Sequence, residues 1–172
     1  MILSNEDIKK HLAKGTIKID PAPSDDQIGS ASVDFTLSNE FYKVRKEYIG
    51  KKVEMGKLSY EDVTEKVIAD EITIKHHDLI LGKTVEKITL PADIAGRIEG
   101  RSSVARLGIA IHVASGFIQP GSDNHQVLEI VNLSPYAVKI KAGTKICQII
   151  FETLKSKSSK PYAKFGRVAV NQ

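Results

Sequence analysis

At 172 residues, 41% hydrophobic and 27% charged, the chain has the make-up of one ordinary globular domain, large enough to fill a core without cross-links. A net charge of +4 from 25 basic and 21 acidic residues suits an anionic small ligand and is too slight and dispersed for a nucleic-acid surface. Cys147 is the only cysteine, which excludes an intrachain disulfide and a cysteine-rich zinc site; no apolar run reaches membrane-spanning length and no apolar signal segment opens the chain, so the expected location is cytoplasmic.

The first predicted element is a helix over about residues 4–14. Ser4 caps it, Asp7 occupies the capping-box position, and Ile8 and Leu12 share one face; Gly15 ends it. Pro21 and Pro23 make the following segment irregular. Short runs of strand character then succeed one another: Ser32 to Leu37, Glu40 to Val44, Lys66 to Ile68, Glu71 to Ile74, Leu79 to Leu81, Thr84 to Leu90 and Ala95 to Glu99. Ser102 to Leu107 reads as one short helix. Further strands are expected at Ile109 to Val113, Phe117 to Ile118, Gln126 to Val131, Ala137 to Ile140 and Lys145 to Glu152, separated by turns at Pro91-Ala92-Asp93, Pro120 to Asn124, Leu133-Ser134-Pro135 and Lys141-Ala142-Gly143. Many short strands at this spacing imply a mainly β barrel or double-sheet jelly roll, with one or two short helices, rather than a βαβ fold. One domain over residues 1–154 followed by a polar, flexible tail over 155–172 is the expected layout. Cys147, between Ile146 and Ile149, reads as a small buried hydrophobe. His76 and His77 read as a loop feature, since neighbours on a strand point to opposite faces.

Two features carry chemistry. The run from Glu99 to Gly108 packs two arginines, two serines and two glycines between apolar strands, and guanidinium forks with hydroxyls are what holds several phosphate oxygens at once. Glu129 stands in an otherwise apolar strand, a costly place for a carboxylate without a task or a partner. Together they point to chemistry on a nucleotide.

The residues that carry these features resemble the dCTP deaminases and their relatives, the trimeric dUTPases and the bifunctional deaminase-dUTPases. The similarity rests on the opening Met1-Ile2-Leu3-Ser4-Asn5-Glu6-Asp7-Ile8, on Ser30 to Leu37, on Leu79 to Thr84, on Gly100 to Gly108, and on His112-Val113-Ala114, Pro120-Gly121 and Leu128-Glu129, in that order along nearly the whole chain. The resemblance implies a distorted β-barrel or jelly-roll subunit of the dUTPase-like type, working as a homotrimer with active sites between subunits. It implies a deoxynucleoside triphosphate, dCTP or dUTP, as partner, with Mg²⁺ carried on its phosphates and no metal held by protein ligands. It implies no nucleic acid and no membrane. The signature of the zinc deaminases is absent.

Residue by residue, the resemblance implies that Arg101, Ser102, Ser103 and Arg106, with the backbone of Val104 and Ala105, bind the triphosphate. Ser102 also positions the attacking water, and Arg106 lies close to the catalytic acid. Glu129 is the general base that takes a proton from water attacking C4 of cytosine and passes one to the departing amine; a single carboxylate does this best when burial raises its pKa and water is excluded. Ser115, Gln119, Val127 and Leu128 are further substrate-binding residues, with Gln119 at the position that contacts the sugar 3′-hydroxyl, and Tyr162 and Lys164 belong to a tail that closes over the site. His112 is expected to pack structurally. The sequence departs from the family pattern at Gln119, where aspartate is usual, at Ser122 and Asn124, and at Val168, where glutamine is expected. Glutamine hydrogen-bonds a hydroxyl but is no base, which counts against phosphohydrolysis more than against deamination; Asp123 is the nearby carboxylate to test as a substitute. The expected function is hydrolytic deamination of dCTP to dUTP and ammonia. The alternatives are a dUTP diphosphatase or bifunctional enzyme releasing dUMP and diphosphate, and a non-catalytic nucleotide-binding regulator.

Overall fold

The alternation read from the sequence becomes a curled antiparallel sheet in the computed structural model, which describes residues 1–165. In chain order the elements are α1 (Asn5–Ala13), β1 (Lys18–Asp20), β2 (Val33–Val44), α2 (Tyr60–Val63), β3 (Thr64–Ile68), β4 (Glu71–Ile74), β5 (Leu79–Thr89), β6 (Ile94–Gly100), α3 (Ser102–Ala105), β7 (Ile109–Ile111), β8 (Phe117–Ile118), β9 (Asp123–Asn132), β10 (Val138–Lys141), β11 (Lys145–Thr153) and α4 (Tyr162–Phe165). Single 3₁₀ turns lie at Asp25–Gln27 and Lys46–Tyr48. Neighbouring strands run β7-β9-β5-β2-β11-β6-β8, with β1 added to β5 and β3 to β2, while β10 and β4 form a separate pair.

α1 forms as its sequence dictates. Ser4 Oγ accepts from the Asp7 N–H at 3.3 Å, Asp7 Oδ2 accepts from the Ser4 N–H at 3.4 Å, and Ile8 is fully buried. The chain leaves the helix through Gly15 at φ +65°.

Two breaks expected from the sequence are continuous strand instead. β2 continues through Ser38 and Asn39 with a register shift against β5 between Leu37 and Phe41, and β5 continues through Gly82 and Lys83 with a shift against β9 between Lys83 and Lys87. A strand that meets a polar or glycine residue need not stop if that residue still pairs, as Gly82 and Lys83 do with Leu128 and Val127, or if extra residues are absorbed as a bulge, as at Ser38 and Asn39. The turn at Pro120 is shorter than expected: Asp123 and Asn124 already belong to β9, and Ser122 closes the turn by donating from N–H and hydroxyl to the Gln119 carbonyl. β1, α2 and α4 are each three or four residues long, too short to leave a periodicity in the sequence.

The inner face of the sheet and α1 enclose one core in which Phe35, Phe41, Phe151, Ile8, Ile88 and Ile130 are fully buried. Cys147 lies in it as expected, and burial pushes its thiol pKa up, away from reactivity.

Gly108, which turns the chain from α3 into β7, sits at φ +82°, and a Cβ there would lie 2.6 Å from Ser134 Cβ and 3.0 Å from its backbone nitrogen. The site therefore forbids a side chain on both conformational and steric grounds. Gly108→Ala is expected to destabilise the protein by about 2–4 kcal/mol, the sum of left-handed strain and overpacking. Thermal melting checks this; an unchanged transition would show that the α3–β7 turn is not held as described.

Candidate active site

The site begins with a difference in strand length. β7 pairs with β9 only through Ile109–Asn132, Ala110–Val131 and Ile111–Ile130, after which the His112 N–H donates to the Glu129 carbonyl at 2.7 Å. On its other side β9 is paired with β5 from Val131 back to Asp123. From Glu129 toward its start, β9 therefore has one edge that no strand covers among the described residues. Backbone groups alternate in direction along a strand. Those of Glu129 meet His112, and those of Val127 face the same open edge, whereas the Gln126 N–H turns toward β5 and donates to Thr84 Oγ1 at 3.0 Å.

That open edge borders a cavity of about 250 Å³ lined by His112, Ser115, Phe117, Ile118, Gln119, Ser122, Asn124, Gln126, Val127, Glu129 and Tyr162. Five of the expected site residues outside the clamp, Ser115, Gln119, Val127, Glu129 and Tyr162, come together here. Leu128 is fully buried and lines none of it. Ser122, Asn124 and Gln126 are buried polar residues, and Gln126 Nε2 donates to Asn124 Oδ1 at 2.9 Å. The sequence carries a signal for them: counting back in twos from buried Leu128 and Ile130 lands on Gln126, Asn124 and Ser122, so the inward face of β9 turns from apolar to polar as it reaches the cavity.

Glu129 is the only carboxylate among the described residues that line the cavity. Its Oε2 is buried and lies 2.7 Å from His112 Nδ1, but that nitrogen is also approached by the Glu129 N–H at 3.4 Å, and Oε2 has no aligned hydrogen-bond donor among the described residues. His112 is held at φ +48°. Burial lowers its pKa below the ordinary imidazole value, a trend that the Glu129 carboxylate and the Ser115 backbone oppose without reversing it. The ring is thus kept uncharged beside the acid. His112, expected to pack structurally, does so against the very residue expected to act as base.

The arginine-serine cluster lies elsewhere on the subunit. α3 forms from Ser102–Ala105, with Ser102, Ser103, Ala105 and Arg106 exposed. Arg101 is half-buried; its Nη1 donates to the Lys145 carbonyl at 3.1 Å and its Nη2 pairs with Asp34 Oδ2 at 3.1 Å. None of Arg101, Ser102, Ser103, Val104 or Arg106 lines the cavity of Glu129. Ala105 instead borders a second, wider hollow of about 680 Å³ that also includes Glu99, Val113 and Leu133. His112 and Phe117 line both spaces, so the hollow and the cavity share a wall. Within one chain the expected constellation falls into two parts.

The chain beyond β11 returns to the cavity. The Tyr162 N–H donates to Pro120 O at 2.9 Å and the Ala163 N–H to Gly121 O at 3.0 Å, placing Tyr162 at the cavity; Lys164 is exposed and does not line it. A Cβ on Gly121, at φ +80°, would come within 2.5 Å of Pro161 Cβ, so this seat requires glycine. Val168 lies outside the described residues. Asp123 pairs with Lys87 Nζ at 3.0 Å and accepts from Thr89 Oγ1 at 2.7 Å, contacts that hold its carboxyl pKa low and away from the cavity. It is not placed to stand in for the aspartate absent at Gln119. Asp34, as the partner of Arg101, is the functional candidate that sequence reasoning passes over; along the chain it is one acid within the run Ser30 to Leu37, with nothing local to tie it to an arginine on another strand.

The geometry agrees with what comparison shows. Residues 2–154 match the family model described as dCTP deaminase-like. A protein of Methanosphaera stadtmanae named "dCTP deaminase, dUMP-forming" is 40% identical over 94% of this chain and 83% of its own length. The dCTP deaminase of Rhodospirillum rubrum is 38% identical over 95% of this chain and 88% of its own. Among solved structures, the 2'-deoxycytidine 5'-triphosphate deaminase of Agrobacterium tumefaciens superposes with a TM-score of 0.70 at 22% identity, over 88% of this chain and 47% of that longer one. The chain belongs to the dCTP deaminase-like family.

Proposed function

We propose that the protein catalyses hydrolytic deamination of dCTP: dCTP and water give dUTP and ammonia. The observation that carries this reading is the Glu129 carboxylate, which is the only one among the described residues lining the polar cavity and has one oxygen, Oε2, buried 2.7 Å from the uncharged ring of His112. A carboxylate fixed at the wall of such a cavity is placed to take a proton from water bound there. Glu129 takes that proton as the water oxygen adds to C4 of the cytosine ring. It then delivers a proton to the amino group, the C4–N bond breaks, and ammonia leaves. The neutral side chains of Ser115, Gln119, Asn124 and Gln126 suit an uncharged ring and a sugar hydroxyl.

The triphosphate falls to Arg101, Ser102, Ser103 and Arg106. These guanidinium and hydroxyl groups bind phosphate oxygens and not a cation, so Mg²⁺ would be carried by the phosphates of the substrate and would supply charge neutralisation there. The two halves of the site meet in a homotrimer. The wide hollow presents exposed Val113, Phe117 and Leu133, an apolar surface suited to burial against another copy, and it opens through His112 and Phe117 onto the cavity. Ser102 then helps hold the attacking water, and the segment through Tyr162 and Lys164 serves as a lid over the bound nucleotide. Free nucleotides as substrates place the protein in the cytoplasm.

A second reading, release of dUMP, is favoured by the name of the Methanosphaera relative. It requires a second activated water. Gln119 supplies no base, and Asp123 is committed to Lys87 and Thr89.

Incubation with Mg²⁺ and either dCTP or dUTP, with products resolved by anion exchange, separates these readings. Formation of dUTP alone from dCTP is expected. Release of dUMP would establish the second reading, and no product from either would leave a nucleotide-binding regulator. Glu129→Gln is expected to abolish deamination while triphosphate binding persists; continued turnover would remove Glu129 as the base. Arg101→Ala is expected to weaken nucleotide binding by about 1.5–3 kcal/mol, the worth of one charge-assisted hydrogen bond, and calorimetry showing unchanged affinity would exclude it from the clamp. His112 gives a pH signature. Because its folded pKa lies below the ordinary 6.5, the unfolded chain binds a proton that the folded chain refuses, so stability is fully present above 6.5 and declines as pH falls toward the folded value. His112→Gln is expected to flatten that part of the melting-temperature profile; identical profiles would show that the ring is not held neutral.

A further inference from the structure

Arg101 reaches the barrel by crossing one strand. It follows directly on β6, and β11 lies between β6 and β2. At the bulge in β11 between Lys145 and Cys147 the guanidinium passes over, donating from Nη1 to the Lys145 carbonyl and pairing through Nη2 with Asp34 on β2, both at 3.1 Å. Asp34 is only 17% exposed. Its own backbone is fixed in turn: Gln27 Nε2 donates to the Asp34 carbonyl at 3.1 Å and to Glu86 Oε1 at 2.8 Å, and Glu86 Oε2 accepts from the Thr36 N–H at 2.7 Å. Glu86 is 3% exposed, a carboxylate that no step of the deamination uses. The same turn is bolted to β11, because Lys145 Nζ donates to Asp26 Oδ2 at 2.6 Å and to the Asp26 carbonyl at 2.9 Å.

These contacts form one chain from the core to the clamp. A long arginine side chain loses much rotamer freedom when it engages a ligand, and fixing it beforehand removes that cost from binding. Asp34 also has an opposing effect, since a carboxylate beside a guanidinium reduces the positive potential offered to an incoming anion. Which effect wins is decided by the geometry. Arg101 is held by two partners on two strands, one of them an uncharged carbonyl, and Asp34 is itself anchored through Gln27 and Glu86, an arrangement built to fix direction rather than to cancel charge. We propose that Asp34 is a positioning residue for triphosphate binding, acting through Arg101, with Gln27 and Glu86 holding Asp34 in place. This rests on the deaminase reading only for the identity of the ligand.

The test is a double-mutant cycle read by calorimetry and steady-state kinetics, with dCTP and dCMP as paired ligands. Asp34→Asn is expected to weaken dCTP binding about tenfold, because Arg101 must then be ordered by the ligand itself, and the effect should fall on KM and not on kcat. Binding of dCMP, which lacks the outer phosphates, should hardly change, whereas a general loosening of the fold would weaken both ligands. In an Arg101→Ala background, Asp34→Asn should cost nothing further. Gln27→Ala, one step removed, should give a smaller loss of the same kind and serves if Asp34→Asn fails to fold. Tighter dCTP binding by Asp34→Asn, an equal loss for dCMP, or a full loss persisting without Arg101 would each overturn the proposal. Failure of the wild-type protein to bind dCTP at all would instead overturn the deaminase reading, so the two failures are distinct.

Discussion

β9 has ten residues and its neighbour β7 has three, and the site follows from that mismatch. An unpaired strand edge ordinarily invites pairing with another chain. Here the edge is covered by the loop from His112 to Gln119 and by Tyr162, which enclose it without offering strand hydrogen bonds. The result is a strand held by β5 on one side while the other side presents a carboxylate and a set of backbone groups to a small cavity. A longer β7 would seal the edge and bury Glu129 in an ordinary ladder.

The arrangement also separates two electrostatic tasks that conflict. A carboxylate that must accept a proton is a poor neighbour for a triphosphate, since like charges in a low-dielectric space repel strongly. The cavity holds one acid, a neutral imidazole and uncharged amides and hydroxyls, while the arginines flank α3, outside it. In the proposed trimer the two regions meet only across a subunit boundary, so a phosphate chain can extend away from the acid while the ring approaches it.

Much of this is legible in one dimension. The capped first helix, most strand centres, the short helix at Ser102 and the burial of Cys147 follow from local chemistry: a cap, a period of two, a hydroxyl next to a helix former. Strand ends are less legible. Ser38-Asn39 and Gly82-Lys83 look like breaks along the chain, yet the first is absorbed in a bulge and the second pairs regularly with β9, because the neighbouring strand decides whether pairing continues. Asp123 shows the same limit for the site. It is an acid two residues from a conspicuous turn, yet the β5 residues opposite it, Lys87 and Thr89, draw it away from the cavity.

The sequence by itself determined which side chains are available for chemistry, an arginine-serine cluster and a lone strand carboxylate, and that both sit in a β framework, since residue identity and period are local properties. Tertiary structure alone decided what each of them touches. Register and strand length set His112 against Glu129, turned Arg101 across β11 onto Asp34, and kept the cluster out of the cavity in a single subunit. Those outcomes depend on hydrogen-bonded neighbours distant in sequence, and no local pattern encodes which strand will lie alongside another.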